Sequence, residues 1–295
     1  MILVIGSTGM VGSEVCRLLI SKKLSVRAMV RKTSDTSKRN KMTDLGVQIL
    51  EGDIRDKSTF PKLLEGISTV ITNLSSMPFS YVPGENDIRK VDEEGMINLI
   101  DASKKAGVKH FIYTSFSKNI EVDFPLNNAK RKVEKHLKNS GMIYTILHPS
   151  FFMEVWLSAA VGFDAINGKV NLCGDGKNPV AYISQKNVAK FAVECVSNPA
   201  AVNAELELGG PENLSQLQAM KIFEEVMQKR MEIQHIPVEG LQAQLDSASD
   251  PMQKSFTGLM LCLATGDRID MKDMLKKFPV TLSSVKEFAH SQTQA

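Results

Sequence analysis

Short apolar segments alternate with longer amphipathic segments along the first half of the 295-residue chain. Apolar runs without regular polar positions are typical of strands buried on both faces of a parallel sheet. Between the first two runs, Val11, Val15 and Leu19 recur at helical spacing. The predicted strands are 2–5, 26–30, 47–50, 70–74, 111–114, 143–147 and 206–208.

A glycine-rich turn follows the first predicted strand directly. The segment Gly6-Ser7-Thr8-Gly9-Met10-Val11-Gly12 connects that strand to the first predicted helix. Glycines permit a tight turn and a close approach of the backbone, and the N-terminus of a helix offers N–H groups and a positive dipole to a phosphate. In this strand–turn–helix setting the segment predicts a site for the pyrophosphate of a dinucleotide. The alternative is a tight turn without a ligand.

The end of the second predicted strand indicates which dinucleotide is bound. An acidic residue about 20 positions beyond the glycine turn is typical of sites that bind the free ribose hydroxyl of NAD(H). This chain has Arg31 and Lys32 there instead. Two cations favour a 2′-phosphate, so the sequence predicts NADP(H) as the cofactor. The alternative is that both residues form a solvated strand end.

Asp53 follows the third predicted strand, at the same edge of the predicted sheet. Its carboxylate is a candidate acceptor for the amino group of adenine. The alternative is that Asp53 caps the helix that begins near Asp56, which is a common role of aspartate.

The regular alternation weakens after about Pro149, although a helix at 188–195 and the strand at 206–208 still fit the sheet. The sequence therefore predicts an α/β fold, with a doubly wound parallel Rossmann sheet and a smaller, mainly helical C-terminal substrate region. Residues 1–150 are predicted to form the NAD(P)-binding domain, to which 184–210 returns. Residues 151–183 and 211–295 are predicted to form the substrate-binding region, where Ser215 and Gln218 indicate a capping box.

Composition and charge exclude several classes of function. The net charge is +3 and the basic residues are scattered, so we expect no nucleic-acid partner. Charges and a proline interrupt the longest apolar stretch, and the N-terminus resembles no secretory leader, so we expect neither a membrane span nor export. The four cysteines make no CxxC pair, which favours a cytoplasmic protein without a metal site, and Cys195 is predicted to fill the core.

Five ordered segments of the sequence form one pattern: GSTGMVG at 6–12, VRK at 30–32, GD at 52–53, AGVKHFIYTS at 106–115 and YTILHP at 144–149. Together they resemble the NmrA-like family, an atypical branch of the short-chain dehydrogenase/reductase superfamily. The similarity extends over nearly the whole chain, and the pattern is most similar to bacterial quinone and triphenylmethane reductases of that family. The family also contains a transcriptional co-regulator that binds dinucleotide.

The resemblance implies a role for a set of residues at the ends of the predicted strands. The sequence departs from the family pattern at two places on the substrate side. His148-Pro149-Ser150 replaces the usual Arg-Pro-Gly, and Val155 replaces an asparagine. The implied contacts are Gly6, Thr8, Gly9, Met10 and Val11 around the pyrophosphate, Arg31 and Lys32 at the 2′-phosphate, Asp53 and Ile54 at the adenine, Asn73, Leu74 and Ser75 near the ribose, and Thr114, Ser115, Pro149, Ser150, Phe151 and Phe152 near the nicotinamide.

Typical members of the superfamily use a Tyr-x-x-x-Lys pair, in which the tyrosine delivers a proton. Lys130 fits the lysine position, but Leu126 stands where the tyrosine is expected. Lys130 shares a helix face with Val133 and Leu137, so its side chain is predicted to project from the apolar face. Together with the resemblance, this inward projection favours a catalytic role in which Lys130 contacts the ribose of the cofactor. The alternative is a lysine that keeps its ammonium group in water.

Several aromatic and polar residues are candidates for substrate contact. Tyr81 lies in a loop that contains proline and glycine, where loops often cover a substrate. Phe152 and Trp156 are candidates to line an aromatic-binding pocket, although core packing is the default role. Tyr113 is interpreted as strand core, and His148 as structural rather than as a proton donor.

Two functions fit these features. The first is an NADPH-dependent reductase that passes hydride directly to a small aromatic or conjugated acceptor such as a quinone, which takes its proton from water afterwards. The second is a non-catalytic, NADP(H)-binding redox sensor that acts on a protein partner. The strand ends on the nicotinamide side and Lys130 favour the reductase.

Overall fold

A computed structural model of the chain describes residues 1–77 and 82–293. Its strands are β1 (Ile2–Ile5), β2 (Val26–Val30), β3 (Gln48–Glu51), β4 (Thr69–Thr72), β5 (His110–Thr114), β6 (Ile143–Pro149), β7 (Phe163–Asp164), β8 (Lys169–Cys173), β9 (Pro179–Val180), β10 (Ala204–Leu208), β11 (Leu214–Ser215) and β12 (Glu232–Ile236). Its α-helices are α1 (Met10–Ser21), α2 (Thr36–Asp44), α3 (Phe60–Leu64), α4 (Met96–Lys105), α5 (Pro125–Asn139), α6 (Met153–Trp156), α7 (Gln185–Glu194), α8 (Gln216–Met227), α9 (Val238–Ser247), α10 (Pro251–Thr265), α11 (Lys272–Lys277) and α12 (Val285–Gln292). Short 3-10 helices lie at Lys57–Thr59, Ala159–Val161 and Pro199–Ala201, and a π-helix at Arg89–Gly95 leads into α4.

Seven strands form one sheet in the order β10-β6-β5-β4-β1-β2-β3. Within this order, each of the five neighbouring pairs from β6 through β5, β4, β1 and β2 to β3 is parallel. The seven strands predicted from the sequence are these seven, with ends that differ by at most two residues. The predicted doubly wound parallel α/β sheet is confirmed. Because β1 lies between β2 and β4, the chain order reverses there, and ligands of such sheets bind beside the carboxyl ends at the reversal.

The central strands β1, β2 and β4 are buried at every position, whereas the edge strand β3 is not. Residues such as Leu3, Val70 and Phe111 pack in one apolar core with Leu99 of α4 and Leu137 of α5. Burial on both faces removes the selection for alternating polar positions, so these strands are mostly apolar in the sequence, with Arg27 of β2 as the charged exception.

The described residues group into two units. The first contains those of Met1–Ser115, Asn128–Leu147 and Val188–Leu206, and the second contains Phe116–Asn127, His148–Asn187 and the residues from Glu207 onward. The chain thus passes into the second unit just after β5 and within β6 and β10. Residues 116–127, which the sequence analysis grouped with 1–150, lie in the second unit. The assignment of cofactor binding to one region and substrate binding to the other stays a prediction.

The second unit combines its helices with two small sheets. These have the strand orders β12-β8-β7 and β11-β9. Strands of two to five residues with interspersed polar side chains produce little periodic signal, which explains why the sequence predicted mainly helix there. The predicted capping box is confirmed: Ser215 Oγ accepts from the Gln218 N–H, and Gln218 Oε1 accepts from the Ser215 N–H.

All four cysteines are free and buried, and Cys195 fills the core as predicted. Burial raises the pKa of the Cys16 and Cys195 thiols to about 12, which disfavours the reactive thiolate. Across residues 1–77 and 82–293, helices are too short or too polar to meet the criteria for a membrane span.

Two helix glycines of the second unit differ in their surroundings, and we expect opposite effects when each becomes alanine. A Cβ at Gly258 of α10 would lie 2.3 Å from Phe124 Cδ1, whereas a Cβ at Gly240 of α9 would have no described atom within 4 Å. Gly258→Ala should lower the free energy of unfolding by about 1–3 kcal/mol. Gly240→Ala should raise it by about 0.5–1 kcal/mol. Urea unfolding of both variants checks this pair, and equal shifts would contradict the packing described for α10.

Candidate functional site

The glycine turn forms a tight connection between β1 and α1. The N–H of Gly9 donates to the Gly6 carbonyl at 3.0 Å, and Gly6 has a φ of +77°. A Cβ at Gly12 would lie 2.1 Å from the Gly6 oxygen, so this helix turn approaches the strand end as only glycine permits. Gly9 is the N-cap of α1 and supplies no side-chain cap, which leaves the first N–H groups of the helix available to a ligand. Thr8 is partly exposed, Met10 is 52% exposed, and Val11 and Gly12 are buried.

A cluster of charges follows β2. Arg31 is partly exposed and Lys32 is exposed. Arg39 of α2, which the sequence analysis did not single out, donates from Nη1 to the Arg31 carbonyl at 3.3 Å and pairs with Glu51 at 2.8 Å. Asp35 caps α2, because its Oδ1 accepts from the Ser37 and Lys38 N–H groups. The helix is almost wholly polar, so apolar periodicity gave no signal for it. An aspartate cap after Arg31-Lys32 was the signal that could have placed Arg39 near the strand end.

Asp53 follows β3 and forms an ion pair with Arg55 at 2.6 Å. The hydrogen bond from Arg55 lowers the pKa of the Asp53 carboxyl, and this carboxylate is available as an acceptor at neutral pH. The alternative role as a helix cap is wrong, since Asp56 caps the 3-10 helix by accepting from the Ser58 N–H at 2.9 Å. The Ile54 side chain belongs to the apolar core, which leaves only its backbone for a ligand.

The loop after β4 lies against the glycine turn. The Asn73 N–H donates to the Ile5 carbonyl at 3.1 Å, and a Cβ at Gly6 would lie 3.1 Å from the Leu74 nitrogen. Asn73 Oδ1 also accepts from Thr114 Oγ1 at 2.6 Å. Ser75 accepts from the Met77 N–H through its hydroxyl oxygen. The structure therefore brings the predicted residues after β1, β4 and β5 together at one edge of the sheet.

Lys130 of α5 is 3% exposed and directed into the first unit. Its Nζ donates to the Thr114 carbonyl at 3.2 Å and lies 5.1 Å from the centroid of the Tyr113 ring. The prediction of an inward side chain is confirmed, and the alternative of an ammonium group kept in water is wrong. Burial lowers the pKa of Lys130, whereas the Asp92 and Glu134 carboxylates raise it and Arg131 lowers it.

The described hydroxyl groups near Lys130 do not take the place of the tyrosine that delivers a proton in typical members of the superfamily. Leu126 is buried, so an apolar side chain occupies the position where the superfamily has its tyrosine. Tyr113 is part of the apolar core, as interpreted from the sequence. The buried Ser115 hydroxyl donates to the Glu134 carboxylate, which also accepts from Arg131 at 2.7 Å. Tyr81, which the sequence analysis proposed for substrate contact, lies outside the described residues.

In the second unit, the segment after β6 is fixed by backbone hydrogen bonds. The Pro149 carbonyl accepts from the Ser117 N–H at 3.0 Å, and the Ser150 N–H donates to Leu208 at 2.8 Å. His148 is fully buried with Nδ1 2.6 Å from the Phe116 carbonyl oxygen, which agrees with a structural role.

Trp156 lies between two phenylalanines of the second unit. Its ring packs edge-to-face on Phe151 at 5.1 Å and is stacked with Phe256 at 6.1 Å. Phe151 is buried, whereas Phe152 and Trp156 keep part of their surface exposed. Phe152 and Trp156 are therefore available for contact with a ligand, and Phe151 supports Trp156 from the core.

Comparison with known proteins agrees with this geometry. The model of the NmrA-like family matches residues 1–288. The NAD(P)H azoreductase of Xenophilus azovorans is 33% identical over 217 residues, which are 73% of this chain and 70% of that protein. The NADPH-dependent quinone oxidoreductase of Escherichia coli in complex with NADPH has a TM-score of 0.79 at 21% identity, over 99% of this chain and 100% of that one. The triphenylmethane reductase of Citrobacter sp. complexed with NADP(H) has a TM-score of 0.78 at 21% identity, over 99% of both chains.

These structures have the same fold as this chain, and the three proteins are named for reductase or oxidoreductase activities. The family match extends from the first residue into the last helix. The resemblance inferred from the five segments is thus confirmed, and the chain belongs to the NmrA-like family.

Proposed function

We propose that the protein is an NADPH-dependent reductase that transfers hydride to a small aromatic or conjugated acceptor, such as a quinone. The observation that carries the proposal is that Gly6, Arg31, Asn73 and Thr114 each stand at the carboxyl end of a different strand, on four neighbouring strands of one parallel sheet. Dinucleotides bind along such an edge where the strand order reverses. The reductase names of the azoreductase and of the two solved structures support the same class of reaction.

The glycine turn fits the pyrophosphate of the cofactor. An added Cβ at Gly12 would fill the close approach between α1 and β1, and the uncapped N–H groups of α1 suit an anion. Thr8, Gly9, Met10 and Val11 are the residues that would surround it. Asp53 would accept from the adenine amino group, in exchange for part of its contact with Arg55.

The cations after β2 fit the 2′-phosphate of NADP(H). Arg31 and Lys32 are accessible, and Arg39 is close enough to donate to the Arg31 carbonyl. A doubly charged phosphate forms bidentate ion pairs with guanidinium groups, whereas the neutral ribose hydroxyl of NAD(H) has no negative charge to pair with them. We therefore propose NADPH rather than NADH as the preferred electron donor.

Lys130 would hold the cofactor at the nicotinamide end. Its Nζ is anchored on the Thr114 carbonyl and carries further protons with which to donate to ribose hydroxyls. Asn73, Leu74, Ser75 and Ser115 would complete this end through the loops after β4 and β5. When bound, NADPH supplies the hydride of the reaction.

The acceptor must not depend on a proton from a tyrosine, because Leu126 stands at that position. A quinone takes a hydride equivalent and one proton to become a quinol, and water supplies that proton without help from the protein. Leu126 therefore does not hinder the reaction, whereas an unactivated ketone would lack its acid. We propose Pro149, Ser150, Phe151 and Phe152 for the nicotinamide side, and Tyr81, Phe152 and Trp156 for contact with the acceptor.

Cofactor preference tests the role of the cations after β2. We expect NADPH to bind at least tenfold more tightly than NADH, because each charge-assisted contact contributes about 1.5–3 kcal/mol. Arg31→Ala should weaken NADPH by about tenfold or more and change NADH by less than about twofold. Calorimetric titration measures both ligands, with Arg230→Ala, an exposed arginine of the second unit, as the control. Equal wild-type affinities for the two dinucleotides would reject the 2′-phosphate assignment.

Turnover tests the reductase itself. With NADPH supplied, we expect oxidation of the cofactor in the presence of a quinone, azo dye or conjugated enone from a small panel. Stereospecifically deuterated NADPH should pass its label out of the cofactor and, where that step limits the rate, slow turnover through a primary isotope effect. Tight, redox-dependent cofactor binding without turnover on any member of the panel would instead support the NADP(H) sensor that acts on a protein partner.

A further inference from the structure

The strand β12 forms one edge of the small sheet β12-β8-β7 in the second unit. It pairs in parallel with β8, and among the described residues no second strand pairs with it. Its first four residues are exposed and Ile236 is partly exposed. Edge strands present unpaired backbone groups to other chains, and proteins commonly protect them with lysine, proline or a bulge. The interior of β12 has none of these protections.

The backbone groups of β12 point alternately toward β8 and toward the outer edge. The Glu232 N–H donates to the Gly168 carbonyl, and the Ile236 carbonyl accepts from the Gly174 N–H, both at 2.8 Å. Residues that bond to one neighbouring strand alternate along a parallel strand with residues that face the opposite side. The N–H and C=O groups of Ile233 and His235 therefore point away from β8.

The outer edge of β12 has a defined end on each side. The Met231 N–H donates to Glu224 Oε1 at 2.8 Å, so this group is already used. Pro237 has no N–H, and its carbonyl accepts from the Leu241 N–H of α9 at 3.0 Å. The edge that remains for pairing is thus a short segment centred on Gln234, with one N–H and one C=O on the residue at each side of it.

This short segment is complementary to a second copy of itself in the antiparallel direction. When Gln234 lies opposite Gln234 of the second copy, Ile233 of each chain lies opposite His235 of the other. The outward groups of both chains then meet, and each such pair exchanges two hydrogen bonds. The same register places Lys229 opposite Glu239 of the second copy. Parallel pairing would instead place like charges together, which is unfavourable.

Exposed apolar side chains accompany both ends of the strand. Ile166 is 69% exposed, and its carbonyl accepts from Lys229 Nζ at 2.7 Å, which places it beside the start of β12. Val238 follows the end of the strand and is 38% exposed, as is Ile233 within it. Antiparallel pairing would bring Ile166 toward Val238 of the second copy. Removal of this apolar surface from water would favour association.

We propose that β12 is the contact surface of a homodimer, in which the strands of two copies pair antiparallel about a two-fold axis at Gln234. The two three-stranded sheets would then form one continuous sheet. A two-fold axis makes each contact occur twice. Because the paired segment is short, the interface belongs to the small class of specific interfaces, and we expect a Kd of about 1–100 µM.

Sedimentation velocity of the full chain over about 1–300 µM measures this association. Ile233→Lys removes an exposed apolar side chain and places a charge on the edge of β12. Val202→Lys is the matched control, because Val202 is 50% exposed and lies in the first unit. We expect wild type and Val202→Lys to dimerise with the same Kd, and Ile233→Lys to raise the Kd at least about tenfold. Thermal unfolding checks that both variants fold.

Cysteine crosslinking tests the register. The backbone groups of Gln234 face β8, so its pair with Gln234 of the second copy is not hydrogen-bonded. The Cα atoms of such a pair lie about 4.5 Å apart, which is within the range of a disulfide. Gln234→Cys should therefore form a disulfide-linked dimer under mild oxidation. The four natural cysteines are buried.

Glu232→Cys is the matched control for the crosslinking. Glu232 is also exposed and lies on the same face of β12 as Gln234. In the proposed register, however, the two copies of position 232 are about 13 Å apart along the strands, which is too far for a disulfide. We expect its yield of linked dimer to be less than about a tenth of that of Gln234→Cys.

A wild-type protein that stays monomeric over the whole concentration range would overturn the proposal. So would a crosslinking yield of Gln234→Cys that does not exceed that of Glu232→Cys. A dimer that Ile233→Lys leaves intact would also overturn it, because another surface would then hold the copies together. If Ile233→Lys does not fold, the two cysteine variants still decide, since they replace only exposed side chains.

Discussion

The burial of one ammonium group constrains much of the first unit. Lys130 can lie inside the protein only if its protons find acceptors and its charge finds opposite charges. The Thr114 carbonyl, the Tyr113 ring and the carboxylates Asp92 and Glu134 meet these requirements. They come from β5, the π-helix and α5, so the same charge links the sheet to the two helical segments beside it.

The parallel sheet explains why the other candidate residues share one edge. Strands that run in the same direction bring their carboxyl ends, and the loops that follow, to one side. The glycine turn, the basic residues after β2 and the loop after β4 then become neighbours although 67 positions separate Gly6 from Asn73 in the chain. Hydrogen bonds from Asn73 to Ile5 and from Thr114 to Asn73 fix these loops relative to one another.

The chemistry that this edge supports depends on what is missing from it. Leu126 offers no proton, and the Ser115 hydroxyl is bound to Glu134. The protein would therefore contribute binding, orientation and charge, while the cofactor contributes the reactive electrons. That division favours acceptors that are electrophilic by themselves.

The sequence by itself determined the α/β fold, all seven strands of the main sheet and the turn at Gly6, because buried parallel strands and glycine turns leave local patterns. It also placed Lys130 on the apolar face that Val133 and Leu137 mark, but left open whether the ammonium group stays in water, and the structure decided that it is buried. Only the tertiary structure decided that Arg39 approaches Arg31, that Asp53 pairs with Arg55, and that Asp92 binds Ser76. Side chains such as these have no periodicity of their own, so the sequence does not reveal their partners, whether the partner is two residues away, as Arg55 is from Asp53, or sixteen, as Ser76 is from Asp92.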